Sequence, residues 1–163
     1  MYIDLDNAVS KFKIYTKQFD TKDKNIDRKI YHSIRVMEVS KDIATRLNLT
    51  QEQIEIASII GLLHDIGRFD QYKIHQTYRD LESFDHGDYG VEILKNNIRN
   101  YVKTDKYDDL IYTYKRLFSY ICEKNFQNGL TMPVFERRIA ADWVWWIEQI
   151  KNAPERYRTK ELL

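Results

Sequence analysis

His64 and Asp65 stand side by side where the run 56–67, IASIIGLLHDIG, passes from apolar to polar. The run is apolar on every face for over two turns, and such a helix is buried, so its polar end meets something inside the protein. An imidazole and a carboxylate taken out of water need partners, since burying either alone is costly. A divalent metal ion satisfies both at once. A core histidine paired with its aspartate neighbour is the other outcome, and the pair alone does not choose between them. Two further polar residues sit where apolar ones are expected. His32 opens a stripe continued by Val36, Val39, Ile43 and Leu47, at spacings of four, three, four and four, which turns it inward. Asp142 lies among Ile139, Trp143, Trp145 and Trp146, and an aspartate in so apolar a helix again asks for a partner.

The elements that carry these residues read as helices. Residues 4–19 form a first helix with Asp4 or Asp6 as N-cap and Val9, Phe12 and Phe19 inward. A polar loop at 21–25 leads into a second helix over 26–47. Thr50 followed by Gln53 has the form of a capping box opening the helix that carries His64. Gly67 fits the end of that helix, because glycine tolerates the left-handed conformation that closes many helices. The polar, aromatic-rich residues 68–85 show weak periodicity and read as a long ordered loop with at most a short helix, the kind of segment that carries function. A helix begins near Asp88 with Val91, Ile93, Leu94 and Ile98 apolar. Two more follow, over 107–124 and over 133–150 with Pro133 in its first turn, and 151–163 is a terminal helix or tail.

Five Gly, two Pro and almost no alternation of polar and apolar residues leave an all-α chain as the fold class. No linker or repeat divides the 163 residues, so one domain is expected, with its core over about 26–150. Lys plus Arg number 26 and Asp plus Glu 25, and a net charge of +1 gives no general attraction to nucleic acid or an anionic membrane. A single cysteine, Cys122, forms no intrachain disulfide. No run reaches 18 apolar residues and the N-terminus lacks a basic-then-apolar signal pattern, so a cytoplasmic protein is expected.

Taken in chain order, His32, the pair His64-Asp65 and then Asp142, with HDIG closing a buried helix, resemble the HD-domain superfamily of metal-dependent phosphohydrolases. The blocks YHSIRV at 31–36, 57–69, and SFDHGDYGVEIL at 83–94 look like those of small bacterial HD hydrolases. The likeness covers roughly 26–94, and RIAAD at 138–142 is the counterpart of the family's terminal aspartate segment. The resemblance implies a helical bundle around a metal held by His32, His64, Asp65 and Asp142. Two imidazoles and two carboxylates suit Mn, Fe, Co, Ni or Zn as the divalent metal ion. It further implies attack of a metal-bound hydroxide on a phosphomonoester or phosphodiester of a nucleotide or other small molecule. Asp65 would also orient or deprotonate the attacking water, and Arg35 would bind the phosphate. Arg68 is the second candidate donor, Lys73 and Arg79 weaker ones, and His86 and His75 are candidates for lining the pocket.

Relatives with two metals carry a further histidine where Glu123-Lys-Asn125 stands here, so one metal per chain is implied. The deoxynucleotide 5'-phosphatase branch has a glutamate at the position of Arg68, and the guanosine-tetraphosphate hydrolase branch has an acidic pair where Asp70 stands alone. Neither specific substrate is implied. The expected partner is a small phosphorylated substrate, with no membrane and no nucleic acid; the tryptophans near Asp142 serve the core or a subunit contact such as a homodimer's. A degenerate HD domain that binds a nucleotide or a protein without turnover is the alternative.

Overall fold

Four of the five described α-helices begin where a short polar side chain takes up the first free backbone amides, and the fourth in chain order has no such cap. The computed structural model describes residues 3–101. In it Asp4 caps α1 (Leu5–Thr16) by accepting from the Asn7 amide, and Asp23 caps α2 (Lys24–Arg46) by accepting from those of Asn25 and Ile26. Thr50 opens α3 (Gln51–Leu63) with the reciprocal capping box that its spacing from Gln53 predicts. After His64 and Asp65 comes α4 (Ile66–His75), which ends at Gln76 in the left-handed conformation, φ 56°. The connection 76–85 contains one 3-10 turn, Asp80–Glu82. Asp85 then accepts from the amides of Gly87 and Asp88 at the start of α5 (His86–Tyr101). The described residues contain no strand, and the fold is all-α.

α2 and α3 form the closest helix pair because small residues line the seam. α2 buries Ser33, Val36, Ser40 and Ala44 there. Gly61 of α3 lies against them, and a Cβ at that position would stand 2.9 Å from Ser40 Oγ and 3.0 Å from Met37 Cα. α3 itself is buried from Ala57 to Leu63, as its unbroken apolar run predicts. On the other side Phe12 of α1, Phe19 and Phe69 of α4 meet as an aromatic cluster, with ring centroids 5.8 Å apart for Phe12–Phe69 and 5.4 Å for Phe19–Phe69. Burying each such ring stabilises the fold by about 2–3 kcal/mol. Glu55, 3% exposed, accepts from the Ile3 amide at 3.0 Å and pins the start of the chain to α3.

Three readings of the sequence are corrected. The inward stripe of α2 starts at His32 and Val36 as expected, but Leu47 is 52% exposed and Val39 and Ile43 are only half-buried. Spacings of four, three, four and four drift about 60° around a helix of 3.6 residues per turn, and the seam follows Ser33, Val36, Ser40 and Ala44 instead. Gly67 does not end a helix. α3 stops at Leu63, and Gly67 sits in the first turn of α4, where a Cβ would fall 2.2 Å from the His86 carbonyl oxygen. Glycine is required there so that α5 can begin against α4. The stretch 68–85 is half helix: α4 occupies its first part and only 76–85 is a connection. The expected helices 107–124 and 133–150, the tail, Asp142 and the tryptophans lie outside the described residues.

Candidate metal centre

The α2–α3 seam sets the positions of the two histidines. His32, 2% exposed, points its Nε2 at the Nε2 of His64, 3.1 Å away, with the rings edge to face. His64 caps the end of α3, and its Nδ1 lies 2.8 Å from the Gly61 carbonyl oxygen. A carbonyl only accepts, so Nδ1 carries a proton. Asp65 occupies the break between α3 and α4 at φ −104°, ψ 19°, and its Oδ2 stands 3.4 Å from His64 Nε2 and 3.6 Å from His32 Nε2. The three donor atoms lie within 4.8 Å of one another, and all three residues are buried. Ligands bound to one cation at about 2.0–2.2 Å sit about 2.8–3.6 Å from their neighbours in octahedral or tetrahedral arrangements. The separations here fall in that range, and the protonated Nδ1 of His64 is the outer hydrogen bond that ligating imidazoles generally make. The residues present therefore fit a divalent cation, and His32, His64 and Asp65 could hold one.

Charge is arranged to match. Burial alone would raise the Asp65 carboxyl, yet Lys29, His64 and Arg68 together hold it well below the usual carboxylate range. Lys29 Nζ is 2.6 Å from Oδ2, and Arg68 Nε is 3.7 Å from Oδ1. Burial, reinforced by His64, pushes His32 down to about 3. At neutral pH His32 is thus a neutral imidazole, so its approach to Asp65 is not an ion pair; it has the protonation state a metal ligand needs.

A second, polar layer closes over this cluster from α4 and the connection 76–85. Arg68 Nη1 donates to Gln71 Oε1, the Tyr78 carbonyl and Asp80 Oδ1, at 2.7, 2.6 and 2.6 Å. Gln71 Nε2 in turn donates to Asp80, Ser83 Oγ and the Phe84 carbonyl. His86 Nδ1 donates to both Asp80 oxygens, at 2.9 and 2.8 Å, which leaves its Nε2 lone pair facing Asp65 Oδ1 at 3.6 Å. Burial lowers the pKa of His86 against the pull of Asp80. Asp80 itself falls to about 2; its partial burial opposes this, and the His86 hydrogen bond and Arg68 outweigh it. Arg68 Nε is buried with no hydrogen-bond partner among the described residues.

The fold brings together His32, His64, Asp65, Arg68 and His86. It does not bring in Arg35 or His75. Arg35 lies on the outer face of α2, ion-paired to Glu38 at 3.3 Å with its side chain 46% exposed. His75 is exposed at the end of α4 against the Phe84 ring. Of the weaker candidates, Lys73 rests over the Phe19 ring and Arg79 pairs with Glu82. Asp142 lies outside the described residues. Lys29 and Asp80 were missed by sequence reasoning. Lys29 had a usable signal, since it precedes His32 by three residues and so shares its helix face. Asp80 had none, because a side chain in an aperiodic connection is placed by the fold alone.

No curated protein and no solved structure matches the chain. The family model described as HD domain matches residues 30–128, more than half of the 163 residues and inclusive of His32, His64, Asp65 and His86. The order of these residues, the buried His-Asp at the end of α3 and the all-α fold agree with it, and the chain belongs to the HD-domain family.

Proposed function

We propose that the protein is a metal-dependent phosphohydrolase acting on a phosphomonoester or phosphodiester of a nucleotide or other small molecule. The observation that carries this reading is the convergence of two buried imidazole nitrogens and one carboxylate oxygen at ligand spacing. His32, His64 and Asp65 hold the cation in this proposal, with Asp142 as the fourth ligand. A divalent ion bound there polarises a phosphoryl oxygen and lowers the pKa of water. The remaining work falls to side chains. Asp65, ionised and itself part of the cluster, also orients the attacking water. Arg68, anchored through Nη1, offers its buried Nε–H to a phosphoryl oxygen. His86, held by Asp80, presents Nε2 to the same space and lines the pocket. Arg35 and His75 are exposed and stand outside this cluster. A cytoplasmic site of action goes with this reading. No helix among the described residues is long and apolar enough to cross a membrane.

The test is turnover of p-nitrophenyl phosphate and bis-p-nitrophenyl phosphate with Mn²⁺, comparing the wild type with His64→Ala. A loss of at least about a hundredfold in a variant of unchanged circular dichroism is expected. Equal rates would remove the proposal. One observation favours a second reading, a binding module without turnover: Lys29 already neutralises Asp65. Nucleotide binding without hydrolysis under every divalent metal tried would select it.

A further inference from the structure

We propose that Lys29 is a built-in competitor for the divalent cation and sets which metals the centre accepts; this rests on the metal-centre reading above. Lys29 lies one turn before His32 on α2 and reaches Asp65 Oδ2 at 2.6 Å. That oxygen is the same one that faces both imidazoles, at 3.4 and 3.6 Å. An ammonium and a metal ion cannot share one carboxylate oxygen at bonding distance without strong mutual repulsion in so buried a place. Binding through Oδ2 therefore requires the ammonium to leave it. Lys29 has somewhere to go. Its Nζ already stands 5.1 Å from the centre of the Tyr78 ring, and its side chain is 18% exposed. Tyr78 is fixed in turn, its hydroxyl donating to the Asn25 carbonyl at 3.0 Å and its own carbonyl taking Arg68.

The consequence is selectivity. While Lys29 keeps Oδ2, the donors of the described cluster fall to two imidazole nitrogens, with Asp142 as the one other carboxylate of the proposed set, and so nitrogen-rich a site suits Ni²⁺ or Zn²⁺ better than oxygen-seeking ions. An ion that depends on the carboxylate meets the whole competition; an ion held by the imidazoles meets less of it. Lys29 thus penalises Mn²⁺ and Mg²⁺ more than Ni²⁺ and Zn²⁺.

Calorimetric titration of the full chain with Mn²⁺ and with Ni²⁺ tests this in the wild type, Lys29→Met, Lys29→Arg and His64→Ala. Lys29→Met should bind Mn²⁺ about ten- to a hundredfold more tightly, the equivalent of one charge-assisted hydrogen bond, and gain less for Ni²⁺. Lys29→Arg, which keeps the charge, should stay near the wild type. The rise in melting temperature on adding Mn²⁺ should be larger in Lys29→Met than in the wild type; Lys29→Gln gives the same comparison if the methionine variant folds poorly. Unchanged Mn²⁺ affinity in the charge-removing variants, or an equal gain for both metals, overturns the role of Lys29 and leaves the metal centre standing. A wild type that binds neither ion, or a His64→Ala variant that binds both as well as the wild type does, overturns the metal centre and this inference with it.

Discussion

The two sides of the candidate centre are built from opposite materials. On the α2–α3 side, small and apolar residues bring two helices close enough for His32 and His64 to meet. On the side of α4, the connection 76–85 and α5, a charged network does the placing: Arg68, Gln71 and Asp80 tie the connection down and turn His86 inward. The first side offers the candidate metal donors and rests on helix packing, with one hydrogen bond, His64 Nδ1 to the Gly61 carbonyl, setting the aim of a ring. The second supplies a cation and a third imidazole, and one carboxylate, Asp80, holds most of it together. On the proposed function, metal retention and substrate handling would fail separately.

The sharpest way to break the second side is Gly67→Ala. Its Cβ would meet a backbone oxygen at 2.2 Å, which has no rotamer to escape into, so α5 must move off α4. A loss of at least about 3 kcal/mol in urea unfolding is expected, more than an overpacked side chain usually costs. Asp80→Ala comes next. It strips the shared acceptor from Arg68, Gln71 and His86 and leaves the buried guanidinium only the more distant Asp65, 3.7 Å from its Nε, as counter-ion, at a cost of about 2–3 kcal/mol in the same measurement. Divalent metal affinity at His32 and His64 should stay within about threefold of the wild type; a large drop would show that the two sides are one unit.

The smallest effect probes the first side through pH. His32 has its folded pKa depressed to about 3, against about 6.5 in the unfolded chain. Above pH 6.5 both states hold the ring neutral and nothing is lost. As pH falls from 6.5 towards 3 the unfolded chain takes up a proton that the folded one refuses, so stability declines across that window. Between pH 6 and pH 5 the metal-free protein should lose about 1 kcal/mol through this ring, with His86 adding in the same direction. His32→Gln should flatten that slope in chemical unfolding at the two pH values. An unchanged slope would mean that His32 is not held neutral by burial.

Legibility in the sequence divides along the same line. The capping box at Thr50, the buried run of α3 and the inward position of His32 were readable because periodicity and burial act on neighbours along the helix. Gly67 was misread because a glycine after an apolar run has two uses, ending a helix or admitting another backbone, and only the partner distinguishes them. α4 was hidden by its composition, since Arg68, Asp70, Gln71 and Lys73 break the apolar pattern while serving the network or the surface. Arg35 has the same three-residue spacing from His32 as Lys29, but the two lie about 60° to opposite sides of it, and Asp65 stands on the Lys29 side while Arg35 pairs with Glu38.

The proton on His64 Nδ1 is committed to the carbonyl of Gly61, in the last turn of α3. The aim of the other ring nitrogen is therefore mechanically coupled to whether that turn is wound. Warming that frays the end of α3 would swing the ring away from His32 well before the protein melts, so loss of bound ion on heating would act as a thermometer for a single helical turn.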